Sequence, residues 1–171
     1  MGTRQAQSTW GNTRFGVVRP GAALVGALLM LLGSVLPVHA KNHWALAVTL
    51  IQGMSFPPSE QGLTTTFIVA PLDPTAAVFD AAGQKGQTIN VSVVEVSINM
   101  TTGGGTLPSE QIPVDTWTFG GSLVDVGGAG QANFTNVGTL TNMRVGASAH
   151  VTFDDVPGAY LGSATMRAVY L

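Results

Sequence analysis

Beyond position 40, the acid–base and metal chemistry of this 171-residue chain rests on two histidines, His43 and His150, and nine carboxylates. His150 precedes Asp154 and Asp155, but neither histidine sits at a spacing that metal ligation uses. It reads as a surface residue on the polar face of a strand. Asp154 and Asp155 fall in a turn without further oxygen donors at calcium-loop spacing, so they read as a solvated turn. A hydrolytic carboxylate pair would have to come from Glu60, Asp80, Glu95, Glu110 or Asp115, and nothing in their spacing brings two together. Glu95 stands out because it interrupts an apolar run, where an outward-pointing side chain is expected. No nucleophile elbow, phosphate loop or dinucleotide fingerprint occurs. Gly103-Gly104-Gly105 lacks the lysine and the following helix that a phosphate loop requires. Cysteine is absent, which excludes thiol catalysis, disulfides and cysteine-ligated zinc. Trp44 and Trp117 offer stacking surfaces for sugar rings, against the commoner fate of packing in a core. The expectation is a chain with no enzymatic activity, no cofactor and no metal.

Such a chain must act through its architecture, and its first forty residues read as an address. Arg4, Arg14 and Arg19 precede an apolar run from Ala22 to Leu36, and no acidic residue occurs before Glu60. Val38-His39-Ala40 then supplies small residues at the cleavage positions of a secretory signal. The run is shorter than the ~20 residues of a spanning helix, so a cut after Ala40 is favoured over a retained anchor. Residues 41–171 keep four basic residues against nine acidic ones, a formal charge of −5. That balance excludes nucleic acid as a partner, because neutralising phosphates needs clustered lysine and arginine. A chain of this length buries roughly two-thirds of its unfolded surface, enough for a core without disulfides. The expected product is a mildly acidic exported domain, in the periplasm, on the outer surface or outside a bacterium, with no membrane segment after cleavage.

Downstream of the address the pattern has period two. Val145, Ala147, Ala149, Val151 and Phe153 share one face, and Gly146, Ser148, His150 and Thr152 the other. Turn formers from Asp154 to Gly158 follow. Tyr160, Gly162, Ala164, Met166, Ala168 and Tyr170 then alternate with polar residues. The two runs predict a hairpin with one buried face per strand. Leu46, Val48 and Leu50 alternate in an early strand. Phe67–Ala70 and Ala76–Phe79 are short strands split by Pro71-Leu72-Asp73-Pro74. From Thr88 to Met100 the apolar phase slips by one residue, which predicts a bulge near Val93–Glu95. Ile112–Phe119 and Ala132–Phe134 complete the set, with a flexible loop over Gly120–Gln131. About eight short strands without helical crossovers predict an all-β, antiparallel, two-layer immunoglobulin-like sandwich, with a small closed barrel as the alternative.

The end of the chain carries a family resemblance. Arg144-Val145-Gly146-Ala147 through Val151, Pro157-Gly158-Ala159-Tyr160-Leu161-Gly162 and the final Ala168-Val169-Tyr170-Leu171 resemble the last hairpin of bacterial secreted pilin-like domains of unknown function. Those domains are related to the spore coat protein U group and to chaperone–usher fimbrial subunits. Ala77-Val78-Phe79-Asp80 with Gly83 and Gly86 resembles their middle hairpin. Gly158 and Tyr170 match the glycine and penultimate tyrosine of chaperone–usher pilins. The resemblance spans Phe56 to Leu171. It implies an incomplete sandwich whose C-terminal edge strand (Gly158, Tyr160, Gly162, Ala164, Met166, Ala168, Tyr170) accepts an added strand. The added strand comes first from a periplasmic chaperone and then from the N-terminal extension of the next like subunit, with an usher as a further partner. On that reading residues 1–40 are the signal, residues 41–55 an N-terminal strand or donor extension carrying Leu46, Val48 and Leu50, and residues 56–171 the sandwich. Two features depart from the pattern: the missing disulfide, and Phe56-Pro57-Pro58 where the family has Phe-Gly. The competing expectation is a self-complete secreted binding module, for example for carbohydrate.

Overall fold

The computed structural model describes residues 6–9 and 45–171. The apolar run, the cleavage site at Ala40, His43 and Trp44 lie outside the described residues. Among the described residues twelve strands follow in chain order. They are β1 (Ala6–Thr9), β2 (Ala47–Gln52), β3 (Thr65–Val69), β4 (Ala77–Ala82), β5 (Thr88–Val93) and β6 (Ile98–Thr102). After a short 3-10 turn at Pro108–Glu110 come β7 (Gln111–Gly121), β8 (Val124–Asp125), β9 (Gly130–Asn133), β10 (Thr139–Val151), β11 (Tyr160–Leu161) and β12 (Thr165–Tyr170). They form two packed antiparallel sheets, the all-β sandwich that the alternation predicts. One sheet runs β1-β12-β5-β9-β8 and the other β11-β6-β7-β10-β4-β2, with β3 also on β10.

β10 is the spine. Its first half pairs with β4 and its second half with β3 along the same border, while β7 occupies the other border. β3 and β4 are thus two pieces of one line, broken where Pro71 and Pro74 cannot donate to a ladder. Met143, Val145, Ala147, Ala149 and Val151 turn inward as the alternation requires. Ser148 is also buried, although it faces outward. The break between β3 and β4 folds across that outer face, and Arg144 holds it by donating to the carbonyls of Pro71 and Asp73. Gly146 lies beneath, where a Cβ would run into the Val69 carbonyl oxygen.

The long strands β10 and β7 each absorb a one-residue slip in a bulge, and β2 shifts register against β4 between Leu50 and Gln52. In β10 the inward set passes from Leu140 to Met143, and the register shifts there with Asn142 in the left-handed region at φ 59°. In β7 the inward set passes from Ile112 and Val114 to Trp117 and Phe119. Thr116 at φ 54° absorbs that slip.

The structure corrects several expectations. The last two runs do not form a hairpin: β10 lies in one sheet, and β12 lies in the other between β5 and β1. Both turn their apolar faces to a shared interior, but the chain crosses the sandwich between them and pairs briefly on the way as β11 with β6. The slip near Val93–Glu95 is also no bulge. It is the corner at which the chain leaves β5 in one sheet and enters β6 in the other, so the inward side reverses. The segment Ala77–Gly86 is likewise a crossover from β4 to β5 rather than a hairpin. Phe153 falls beyond the end of β10 and is 67% exposed, because no strand continues there to cover it. The loop expected over Gly120–Gln131 contains β8, which folds back onto β9.

Candidate association edge

The inward side of β12 is completed within the chain. Ala164, Met166 and Ala168 are at most 1% exposed and join Phe79, Ile89, Val91 and Met143 in the larger apolar cluster. One border of β12 pairs with β5, from Met166↔Val93 to Tyr170↔Ile89. The other border carries β1, antiparallel, with Ala6↔Ala168, Gln7↔Arg167, Ser8↔Met166 and Thr9↔Thr165 in register. β1 also approaches β2, the edge of the opposite sheet. The open side of the sandwich is therefore flanked by the first and last strands downstream of position 40, and a segment from upstream of the apolar run lies along it.

Both ends of β12 are tied down. At its start the Thr165 N–H donates to Glu95 Oε2 at 2.8 Å, and the Thr165 carbonyl accepts from the Val94 N–H at 2.9 Å. Partial burial pushes the Glu95 carboxyl up, but the Thr165 amide and hydroxyl outweigh it, and the net pKa lies below the usual carboxylate value. The Glu95 carbonyl accepts the Trp117 indole N–H at 2.8 Å. Glu95 is thus a clasp at the crossover corner, more engaged than an outward-pointing side chain would be. Trp117 packs against both apolar clusters instead of offering a free stacking face.

At the far end, the Tyr170 hydroxyl accepts the Gln84 N–H at 2.8 Å, and the ring lies 6.1 Å from that of Phe134. Gly83 sits under both rings, where a Cβ would meet the Tyr170 hydroxyl and come within 2.7 Å of the Phe134 ring. The Leu171 N–H adds a bond to the Thr88 carbonyl at 3.0 Å.

Ala164, Met166, Ala168 and Tyr170 thus lie in or beside β12, whereas Gly158, Tyr160 and Gly162 do not. Gly158 is in the crossover loop, packed so tightly on Thr102 that a Cβ would strike its hydroxyl. Tyr160 belongs to β11 and donates its hydroxyl to the Val156 carbonyl at 2.7 Å. Gly162 is exposed beside Met100. Val48 and Leu50 belong to β2 of the chain's own sheet, and Leu46 immediately precedes it. Val48 pairs with Ala81 and Leu50 with Phe79, and all three reach the larger cluster.

The residues singled out for chemistry serve as ties. His150 Nε2 is 2.9 Å from Asp115 Oδ1, and His150 Nδ1 is 3.1 Å from Thr66 Oγ1, which joins β7, β10 and β3 across their solvent-facing side. The hydrogen bond with His150, then that from the Thr116 hydroxyl, holds the Asp115 carboxyl below its ordinary pKa. Asp155 accepts the N–H and hydroxyl of Thr152 at 2.7 and 2.9 Å, closing the loop after β10. Asp80 accepts the Asn142 N–H at 2.9 Å at the bulge. Among the described residues, no group of three or more histidines and carboxylates is placed to hold a metal ion.

The two bulges, which aim Trp117 and Met143 inward, were missed in the sequence. Their signal was available: Ile112-Val114 against Trp117-Phe119, and Leu140 against Met143, each change parity.

These features define an antiparallel β-sandwich protein whose last strand lies between β5 and the upstream segment β1. The family described as a domain of unknown function (DUF4402) matches residues 56–170. The chain belongs to that family. No curated protein and no solved structure matches it.

Proposed function

We propose that this chain is an exported structural subunit, fimbrial or coat-like, that associates with other subunits by strand addition along the outer border of β12. The observation that carries the reading is what pairs with that border: Ala6–Thr9, upstream of the apolar run read as a secretory signal. Cleavage after Ala40 removes β1 and leaves the outward N–H and C=O groups of Met166 and Ala168 without a ladder, while the core face beneath is already filled. An unpaired border on a finished sheet is a template for another extended segment, with affinity from the ladder and register from alternate side chains. Each ladder bond contributes about 1 kcal/mol net. A four-residue contact is therefore weak, and lasting association needs a donor strand running the whole of β12. Residues 41–55 of a neighbour can serve as donor only by exchange, since β2 pairs with β4 of its own chain. On this reading a periplasmic chaperone and an usher are expected partners.

The chain has no cysteine, so an introduced pair reports unambiguously. The exported form carrying Arg167→Cys is mixed with a peptide of residues 3–12 carrying Gln7→Cys, the partner position in register. Rapid mixed-disulfide formation and a boiling-sensitive ladder on a denaturing gel are expected. A sharp monomer that cross-links no faster than an unstructured thiol control would overturn the proposal.

A further inference from the structure

The two sheets do not match in extent. The strands around β12 cover the half of the opposite sheet centred on Phe79, Met143 and Val145. The other half, where Ile112, Val114, Ala147, Ala149 and Val151 turn inward, forms a second apolar cluster. Over it lie the irregular segment after β2 and the loop between β10 and β11, and a cavity of about 420 Å³ remains beneath them. This volume falls within the range of small-molecule sites. Met54, Phe56, Phe67, Met100 and Tyr160 line it, and each stays only partly buried, so apolar surface remains uncovered there. The two methionine thioethers adapt readily to irregular apolar shapes.

Charge narrows the class of occupant. The cavity lining holds two carboxylates, Glu60 and Asp155, and no lysine, arginine or histidine. Burial raises the Tyr160 phenol above its ordinary pKa, and the nearby Asp155 and Glu110 carboxylates add to it in the same direction. Both Asp155 oxygens already accept from Thr152, and the Tyr160 hydroxyl is engaged with Val156, so these two groups are turned to the chain itself. An anionic ligand would meet like charge without a cation in the lining to pair with, whereas a neutral apolar one meets no such penalty.

The structure assigns this cavity as a binding site for a small apolar molecule that carries no negative charge. It is independent of the association edge, since none of its lining residues lies in β12 or β1.

Two fluorescent probes that share one skeleton test the assignment: neutral N-phenyl-1-naphthylamine, and 1-anilinonaphthalene-8-sulfonate, which adds a sulfonate. The purified chain should bind the neutral probe saturably and the sulfonate about tenfold more weakly. Glu60→Lys should narrow that gap. Ser55→Trp and Pro157→Trp fill the cavity from its rim without touching a strand, and each should weaken the neutral probe about tenfold. Ile51→Trp, on β2 and outside the lining, should leave binding unchanged. Methyl NMR of the unaltered chain gives a readout without substitutions: the neutral probe should shift Met54 and Met100 but not Met143. Absence of saturable binding, equal affinity for both probes, or unmoved Met54 and Met100 methyls would each overturn the assignment. So would undiminished binding in either tryptophan variant.

Discussion

The lock at the end of β12 is open to a quantitative test. Tyr170→Phe deletes the acceptor of the Gln84 N–H, a partly buried bond of 2.8 Å, and leaves the ring on Phe134 in place. A lost bond of this kind costs about 1–1.5 kcal/mol when water can partly reach the abandoned donor. For a domain of this size that corresponds to roughly 3–6 °C in melting temperature. Gly83→Ala forces a Cβ against the Tyr170 hydroxyl and to 2.7 Å from two Phe134 ring carbons. Overpacking of that kind costs about 1–3 kcal/mol. Removing the hydroxyl removes the nearest obstacle, so the alanine should cost less in the Tyr170→Phe background. The coupling should be about 0.5–1 kcal/mol, within the range for residues in contact. The assay is a double-mutant cycle by urea denaturation with common m-values. Additivity within about 0.3 kcal/mol would refute the idea that hydroxyl and glycine form one packed unit.

Met143→Ala should destabilise by about 2–5 kcal/mol, because the side chain is fully buried at the bulge of β10, as thermal melts would show. Asn142→Val should cost about 1–2 kcal/mol, since a β-branched residue tolerates φ 59° poorly, whereas Asn142→Gly should retain most of the stability. Glu95 has a lowered folded-state pKa, so its clasp on Thr165 contributes above the unfolded carboxylate pKa and is lost as pH falls through the lower folded value. Glu95→Gln should therefore flatten acid unfolding followed by circular dichroism, and an unchanged pH profile would rule the clasp out.

Fold class was legible because alternation is local. Val145 to Val151 and Ala164 to Tyr170 each show a buried face in any packed sheet, and Pro71 and Pro74 mark a break in any ladder. The chemistry-bearing residues were legible only as candidates. That Asp115 meets His150, or Glu95 meets Thr165, follows from strands distant in sequence being brought side by side. Parity also marks where a strand must slip, but it does not say how. The same one-residue change is a bulge at Asn142 and Thr116 and a corner between sheets at Glu95.

Residue order by itself determined that this chain alternates, carries no thiol chemistry and buries one side of each long run. Only the tertiary structure decided which sheet each run joins. A side chain's inward direction is set by the backbone's pleat, but a short linker can as easily fold a strand beside its predecessor as carry it across the interior. The choice between the two is made by how all the apolar faces cover one another together. That choice sent β12 across from β10, set it between β5 and β1, and left the far half of the opposite sheet roofed by loops.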